Sequence, residues 1–442
     1  MTTAVTIVKA SARYDTRGVP VVLLLLAFVC LRPGLLGQQV TPIGVGLALT
    51  AAFVALINDR GRLNVSLRAG LVMTFVALSY VWLLIRASVN GEGPANVVQG
   101  GLISAAALLA AAVVFSDSGR AKQFARGFVF LTVGISLSYL ATFVLWQVAG
   151  AASFPLFTFP VSTWTATAYF PFTPTIGLQT ALGFDFPRFV GFAREPGWMA
   201  MFAALAWFTW PIVGRPNWWG KLALLAGILG PFSTAGFGIF VVVLAYDLMI
   251  KPRPFKDATL AYVRQLTGFV VLAAAAGFAV YAPIYGLAAK SQQNVLSLNE
   301  RNAVTAAGIE ALRNFSLGEP VDYANSSLNL IAAVAVSGWP YLVLIVLALV
   351  FPRLRHPAAS QTSPLIATIF LTLLLAQPSG DSITVFMLTL LAYAVTLPSP
   401  PHNLITSLST EASLGSPCKT GRIPSPSRLR PGIDRRTRHA TA

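Results

Sequence analysis

A chain of 442 residues that is 55% hydrophobic and only 10% charged, with a mean hydropathy of +0.70, is not built for water; soluble globular chains carry roughly 25% charged residues. Its net charge of +16 would suggest nucleic acid in a soluble protein. Here the basic residues fall between apolar runs of about 20 residues, the length that matches the hydrocarbon core of a bilayer, so the excess is a membrane signal and not a nucleic-acid one.

Residues 1–18, with Lys9, Arg13 and Arg17, read as a cytoplasmic N-terminal segment. The apolar run that follows ends in Cys30-Leu31-Arg32 with no small-residue cleavage pattern, and another run succeeds it at once, so it is expected to stay as a first span. Spans are predicted at 19–31, 36–57, 67–86, 97–115, 127–149, 196–213, 218–231, 234–250, 266–285, 327–351, 364–377 and 382–398. The expected fold class is all-α: a polytopic transmembrane helical bundle of about 12 spans over 19–398, with two long non-cytoplasmic loops at 150–195 and 286–326. Residues 399–442 read as a basic disordered cytoplasmic tail that attracts anionic lipid. With both termini cytoplasmic, 24 of the 31 Lys and Arg residues lie inside; Arg32, Arg86, Arg188, Arg194, Lys290, Arg301 and Arg313 lie outside, as the positive-inside rule requires.

The first long loop is rich in Phe, Pro and Thr and carries no charge before Asp185. It is expected to lie in the membrane interface or to re-enter the bilayer against protein, because bare backbone cannot sit in lipid. In the second, Ser297-Leu-Asn-Glu300 has the capping-box spacing and opens a helix to Leu312, with Gly318 past its end.

The spans keep their ionisable residues at their ends, which disfavours ion-coupled transport. All three histidines (His356, His402 and His439) fall on the cytoplasmic side, and Cys30 and Cys418 sit at opposite ends of the topology, so neither a disulfide nor a metal site is expected. No HExxH, CxxC, Walker A or GxSxG pattern occurs. An outer site is therefore left with arginine, carboxylate and backbone dipoles. In the stretch Arg188–Gly197, Pro196 suits the first helical position, so the positive end of the next helix points outward, flanked by Arg188 and Arg194. Arg301 and Arg313 add guanidiniums from the other loop, and such planar forks suit a phosphate group. A structural reading stands beside this one: Arg188 and Arg194 as interfacial anchors, Glu195 as a helix cap that neutralises Arg194, Glu300 as a capping-box partner, and Arg313 paired with Glu310. Spacing alone leaves both open.

Three pieces resemble the O-antigen polymerase and O-antigen ligase superfamily of polysaccharide-assembling membrane proteins. They are Arg188-x-x-Gly191-Phe192 followed by Glu195-Pro196-Gly197; the turn Phe232-Ser233-Thr234-Ala235-Gly236; and Arg301 with its helix, followed by Asn325-Ser-Ser-Leu-Asn-Leu-Ile and Gly338-Trp339. The resemblance covers roughly 180–350. It implies an enzyme of the bacterial cytoplasmic membrane that needs no cofactor and acts on oligosaccharides linked to polyprenyl diphosphate, with a chain-length regulator and other polysaccharide-assembly proteins as partners. An acceptor hydroxyl displaces the diphosphate with inversion. Arg188, Arg194 and Arg301 would hold the diphosphate, with Arg313 and Asn325 also binding substrate; Glu195 would orient or deprotonate the acceptor. Ligases of the superfamily carry a histidine about eleven residues before the glycine matching Gly338. This chain has Asn325-Ser326-Ser327 there, which favours a polymerase. A ligase-type transferase and a lipid-linked glycan flippase are the alternatives.

Overall fold

The computed structural model describes residues 18–36, 39–61, 65–149, 155–161, 164–181, 184–250, 263, 266–268, 270, 295–319, 329–354, 358–377 and 382–396. Helices α1 (Val19–Cys30), α2 (Thr41–Asn58), α3 (Leu67–Val89), α4 (Ala95–Val114) and α5 (Ser118–Ala149) precede strands β1 (Pro155–Val161), β2 (Trp164–Tyr169), β3 (Thr173–Ala181) and β4 (Phe184–Phe189). Then follow α6 (Pro196–Val213), α7 (Trp218–Leu229), α8 (Thr234–Ile250), α9 (Val295–Arg313), α10 (Leu330–Val350), α11 (Ala359–Leu375) and α12 (Ile383–Val395). Six helices (α2 to α6 and α10) are long and apolar enough to cross a membrane, and α1, α7, α8, α11 and α12 are shorter apolar helices. This mostly helical architecture is that of a helical membrane protein. The N-terminal segment, the tail and most of the span expected at 266–285 lie outside the described residues.

In lipid, helices gain little from apolar contact alone and associate where small residues let backbones approach. That happens between α5 and α7: a Cβ on Gly227 would overlap the Ser136 hydroxyl, and one on Gly230 would overlap the Tyr139 ring. Gly127 of α5 likewise sits against Leu25 of α1. At the centre, Phe28 meets Phe124, Phe128, Phe192 and Phe202 with ring centroids 6.2, 5.7, 6.0 and 5.4 Å away, the tilted and edge-on geometries that aromatic quadrupoles favour. At the other end of α5, Arg120 forms a two-pronged pair with Asp59 (3.0 and 2.6 Å) and donates to the Val114 carbonyl, which fixes α5 to the ends of α2 and α4.

The all-α expectation needs one correction. Strands β1 to β4 form a four-stranded antiparallel meander in the order β1-β2-β3-β4, where the sequence suggested a loop. Its stretch Trp164-Thr-Ala-Thr-Ala-Tyr169 alternates branched or aromatic residues with small ones, which suits a pleated surface. The sheet rests on α5: Thr142 Oγ1 donates to the Phe170 carbonyl (2.8 Å) and Ser138 Oγ accepts from the Phe172 amide (3.0 Å). Tyr139 stacks on Phe189 at 4.7 Å, and Trp146 meets Tyr169 at 5.0 Å.

Helix α10 is broken at Gly338, whose φ of 79° and ψ of 162° are open only to glycine, and Pro340 supplies no N–H. The strap Ser316–Glu319 mends the break. Glu319 N–H donates to the Ala335 carbonyl (3.0 Å) and Trp339 N–H to Ser316 (3.0 Å); Trp82 Nε1 of α3 takes the Ser337 carbonyl at 2.7 Å. Arg86 pairs with the Glu92 carboxylate and reaches the Glu319 carbonyl at 3.4 Å. On sequence position Arg86 stands at a span end apart from both long loops; the fold ties it to the second of them.

Gly338→Ala is expected to destabilise the protein by about 1–3 kcal/mol, the cost of a glycine-only backbone region, because the new Cβ would also overlap the Leu317 carbonyl. Thermal unfolding in detergent, followed by size-exclusion of the soluble fraction, measures this. An unchanged midpoint would contradict the break.

Candidate functional site

The segment that carries Arg188, Arg194 and Glu195 is positioned by backbone. Gly191 has a φ of 55°, and a Cβ there would lie 2.6 Å from the Met199 sulfur, so the turn after β4 requires glycine. Beyond it, Phe192–Arg194 zips onto the loop after α1. Leu35 N–H donates to Phe192 (2.8 Å) and Arg194 N–H to Pro33 (3.0 Å), with Gly34 and Ala193 bridged antiparallel. Thr384 N–H, in the first turn of α12, donates to the Arg32 carbonyl at 3.0 Å. Three segments far apart in sequence thereby meet where α6 begins.

Helix α6 starts as its sequence predicts. Pro196 stands in its first turn, and Glu195 is the N-cap residue. The Glu195 side chain makes no capping hydrogen bond; it turns to Arg194, Nε to Oε1 at 3.4 Å. Of the readings open from sequence, the pairing with Arg194 is seen and the cap is not. The first amides of α6 thus lack a side-chain acceptor, and a helix N-terminus carries roughly half a positive charge.

Around this tip lie groups the sequence reading did not assign to the site. Gln377, just past α11, presses its amide against Gly197, and Ser233 Oγ would be 3.7 Å from a Cβ there. Ser233 itself caps α8 by accepting from Gly236 N–H at 3.2 Å, so the Phe232–Gly236 turn belongs to this end of the bundle. Trp198 Nε1 and Thr384 Oγ1 are buried with no hydrogen-bond partner; each such group costs about 1–3 kcal/mol. Arg32, counted from sequence only as one outer basic residue, stands next to Pro33, whose carbonyl accepts from the Arg194 amide. The turn motif and the Pro196-Gly197 pair were the local signals; nothing local marks Gln377 or Arg32.

The other predicted residues divide. Arg188, half-buried on β4, is held near the α7–α8 turn, since Phe189 N–H donates to the Gly230 carbonyl at 3.1 Å. Arg301 lies in α9, which packs along α10 where Gly308 sits on the Ile331 carbonyl; its side chain falls outside the described residues. Arg313 is exposed in the last turn of α9, without an ion pair to Glu310, and the structure does not join its side chain to Arg194 or Glu195. Asn325 lies outside the described residues. Among the described residues there is no cluster of three His, Cys, Asp or Glu side chains that could hold a metal.

Gly197→Ala is expected to lower stability, because its Cβ overlaps the Gln377 amide. Adding Gln377→Ala should recover most of the loss, giving a coupling within the range of about 0.5–3 kcal/mol found for contacting residues. A double-mutant cycle on detergent-solubilised protein measures it, and strict additivity would contradict the contact.

No protein-family model, curated protein or solved structure matches this chain.

Proposed function

We propose that the chain is a polysaccharide polymerase of the bacterial cytoplasmic membrane, joining oligosaccharide repeat units carried on polyprenyl diphosphate at the outer face. One observation carries the reading: the uncapped N-terminus of α6 has Arg194 in its approach and Arg32 zipped alongside. Backbone amides at a helix N-terminus favour an oxyanion, and guanidinium forks bind one in bidentate fashion. The resemblance of residues 188–197, 232–236 and 301–339 to the O-antigen polymerase and ligase superfamily supports the same chemistry.

In this reading Arg188, Arg194, Arg301 and Arg32 hold the diphosphate. The acceptor hydroxyl oxygen attacks the anomeric carbon from the face opposite the diphosphate, a new glycosidic C–O bond forms as the bond to diphosphate breaks, and the electron pair leaves on the diphosphate oxygen. Preorganised positive charge at that oxygen is the largest effect available here. Glu195 takes the hydroxyl proton. Its pairing with Arg194 holds it close to the leaving group's binding arginine. Arg313 and Asn325 are kept as contacts to the glycan.

Three experiments bear on this. Each charge-assisted hydrogen bond is worth roughly 1.5–3 kcal/mol, so Arg188→Ala or Arg194→Ala should cut polymer formation by about one to two orders of magnitude at normal membrane levels. Lysine should rescue only in part. Arg215→Ala, exposed at the opposite end of α6, is the silent control. Loss of the gene should strand single lipid-linked units on the outer leaflet; units confined to the inner leaflet would indicate a flippase, and long lipid-linked polymer a ligase. Reporter fusions after Pro398 and within 286–325 should report opposite sides of the membrane, and a shared side would overturn the outer placement of the site.

A further inference from the structure

The β2–β3 turn has no part in the proposed chemistry, yet it carries a concentrated apolar surface. Phe170 and Phe172 are 51% and 50% exposed and Phe157 49%, and the Phe157 and Phe172 rings are 6.2 Å apart. Residues 127–184 contain no Arg, Lys, Asp or Glu, whereas a water-facing sheet normally interleaves both signs of charge.

The depth of this turn in the bilayer is fixed by α5. Phe170 and Phe172 are bonded through their backbones to Thr142 and Ser138. The same stretch of α5 marks the end of a neighbouring helix, because Gly230, just beyond α7, lies against Tyr139. Counted from Arg126, the last charged residue before the apolar run of α5, Thr142 lies about 24 Å along the helix, close to the outer edge of a hydrocarbon core about 30 Å thick. Two independent measures thus put the turn where hydrocarbon gives way to headgroups, the level at which aromatic side chains concentrate in membrane proteins. Helix α5 continues past it to Ala149 with the sheet packed on its extension.

We propose that the Phe170–Phe172 turn, extended by Phe157, is an aromatic wedge seated in the headgroup layer, and that its partner is the lipid surface. Two points anchor the sheet: the wedge at the β2–β3 turn, and β4 at the α7–α8 turn. Strand β4 leads directly into the Gly191 turn, so the wedge sets the height of the segment that carries Arg194. The inference does not depend on the polymerase reading, since it rests on depth and exposure alone.

The test places an environment-sensitive fluorophore at F172C, and in a second protein at F170C, on a full-length C30S/C418S background in liposomes. A probe at T158C, exposed and one residue from Phe157 on the opposite face of β1, is the aqueous reference. Both turn probes are expected to show blue-shifted emission, loss of iodide quenching and strong quenching by lipids bearing a nitroxide near the headgroup. Iodide quenching equal to that at Thr158 would overturn the wedge. So would protection from both quenchers, which would mean that a second protein or a glycan covers the patch, or turn probes that disagree in depth.

Discussion

A bilayer core offers no water to hydrogen-bond a bare amide or carbonyl, so wherever a helix of this chain stops or breaks, another part of the chain has to take up the freed groups. The break at Gly338 shows the consequence most directly. The carbonyls of Ala335 and Ser337 lose their helical partners and are taken by the Glu319 amide and the Trp82 indole, while the Trp339 amide finds Ser316. The strap, α3 and α10 are thereby one hydrogen-bonded unit, and Arg86 is drawn into it through the Glu319 carbonyl. The same demand closes the loop after α1 onto Phe192–Arg194, and sends the Thr384 amide to Arg32.

This backbone pairing also builds the candidate site. Arg194 and Glu195 would be a charged pair on a flexible connection if the chain before α6 were free. Instead, Gly191 turns the chain, the Gly34–Ala193 bridge holds it, and α6 begins with its amides uncapped and its flanking carboxylate occupied by Arg194. Positive charge is thus collected at a point fixed by main-chain hydrogen bonds, which cost little entropy to hold. Long arginine side chains on a mobile loop would lose part of their binding strength to ordering. The close seat of Gln377 on Gly197 adds a neutral polar group at the same tip, and explains why a residue without a side chain stands there.

The ion pairs of the structure divide into two kinds. Arg120 with Asp59, and Arg86 with Glu92, have their guanidiniums largely buried, at 4% and 9% exposure; the first joins the start of α5 to the end of α2, and the second closes the end of α3 onto the connection that follows it. Breaking such a pair strands a buried charge, so these arginines serve the fold. Arg194 pairs with its own neighbour, Glu195. That contact joins residues already adjacent in the chain, so it adds little to the fold.

The sequence by itself determined that apolar helices recur along the chain, because apolar runs of bilayer length have one stable form in lipid, and that α6 begins at Pro196, a signal that acts within a single turn. It also determined that Arg194, Glu195 and the start of α6 are neighbours, since they are adjacent in the chain. The meander was concealed because its residues carry no charge before Asp185 and include several prolines, features shared by interfacial loops. Only the tertiary structure decided that Arg32, Ser233, Gln377 and Thr384 stand around α6, that Arg86 belongs to the strap, and that Arg313 stays exposed and away from Glu310. Helices obey interactions three and four residues apart, which a sequence displays; the contacts that gather a site span tens to hundreds of residues, and only packing selects them.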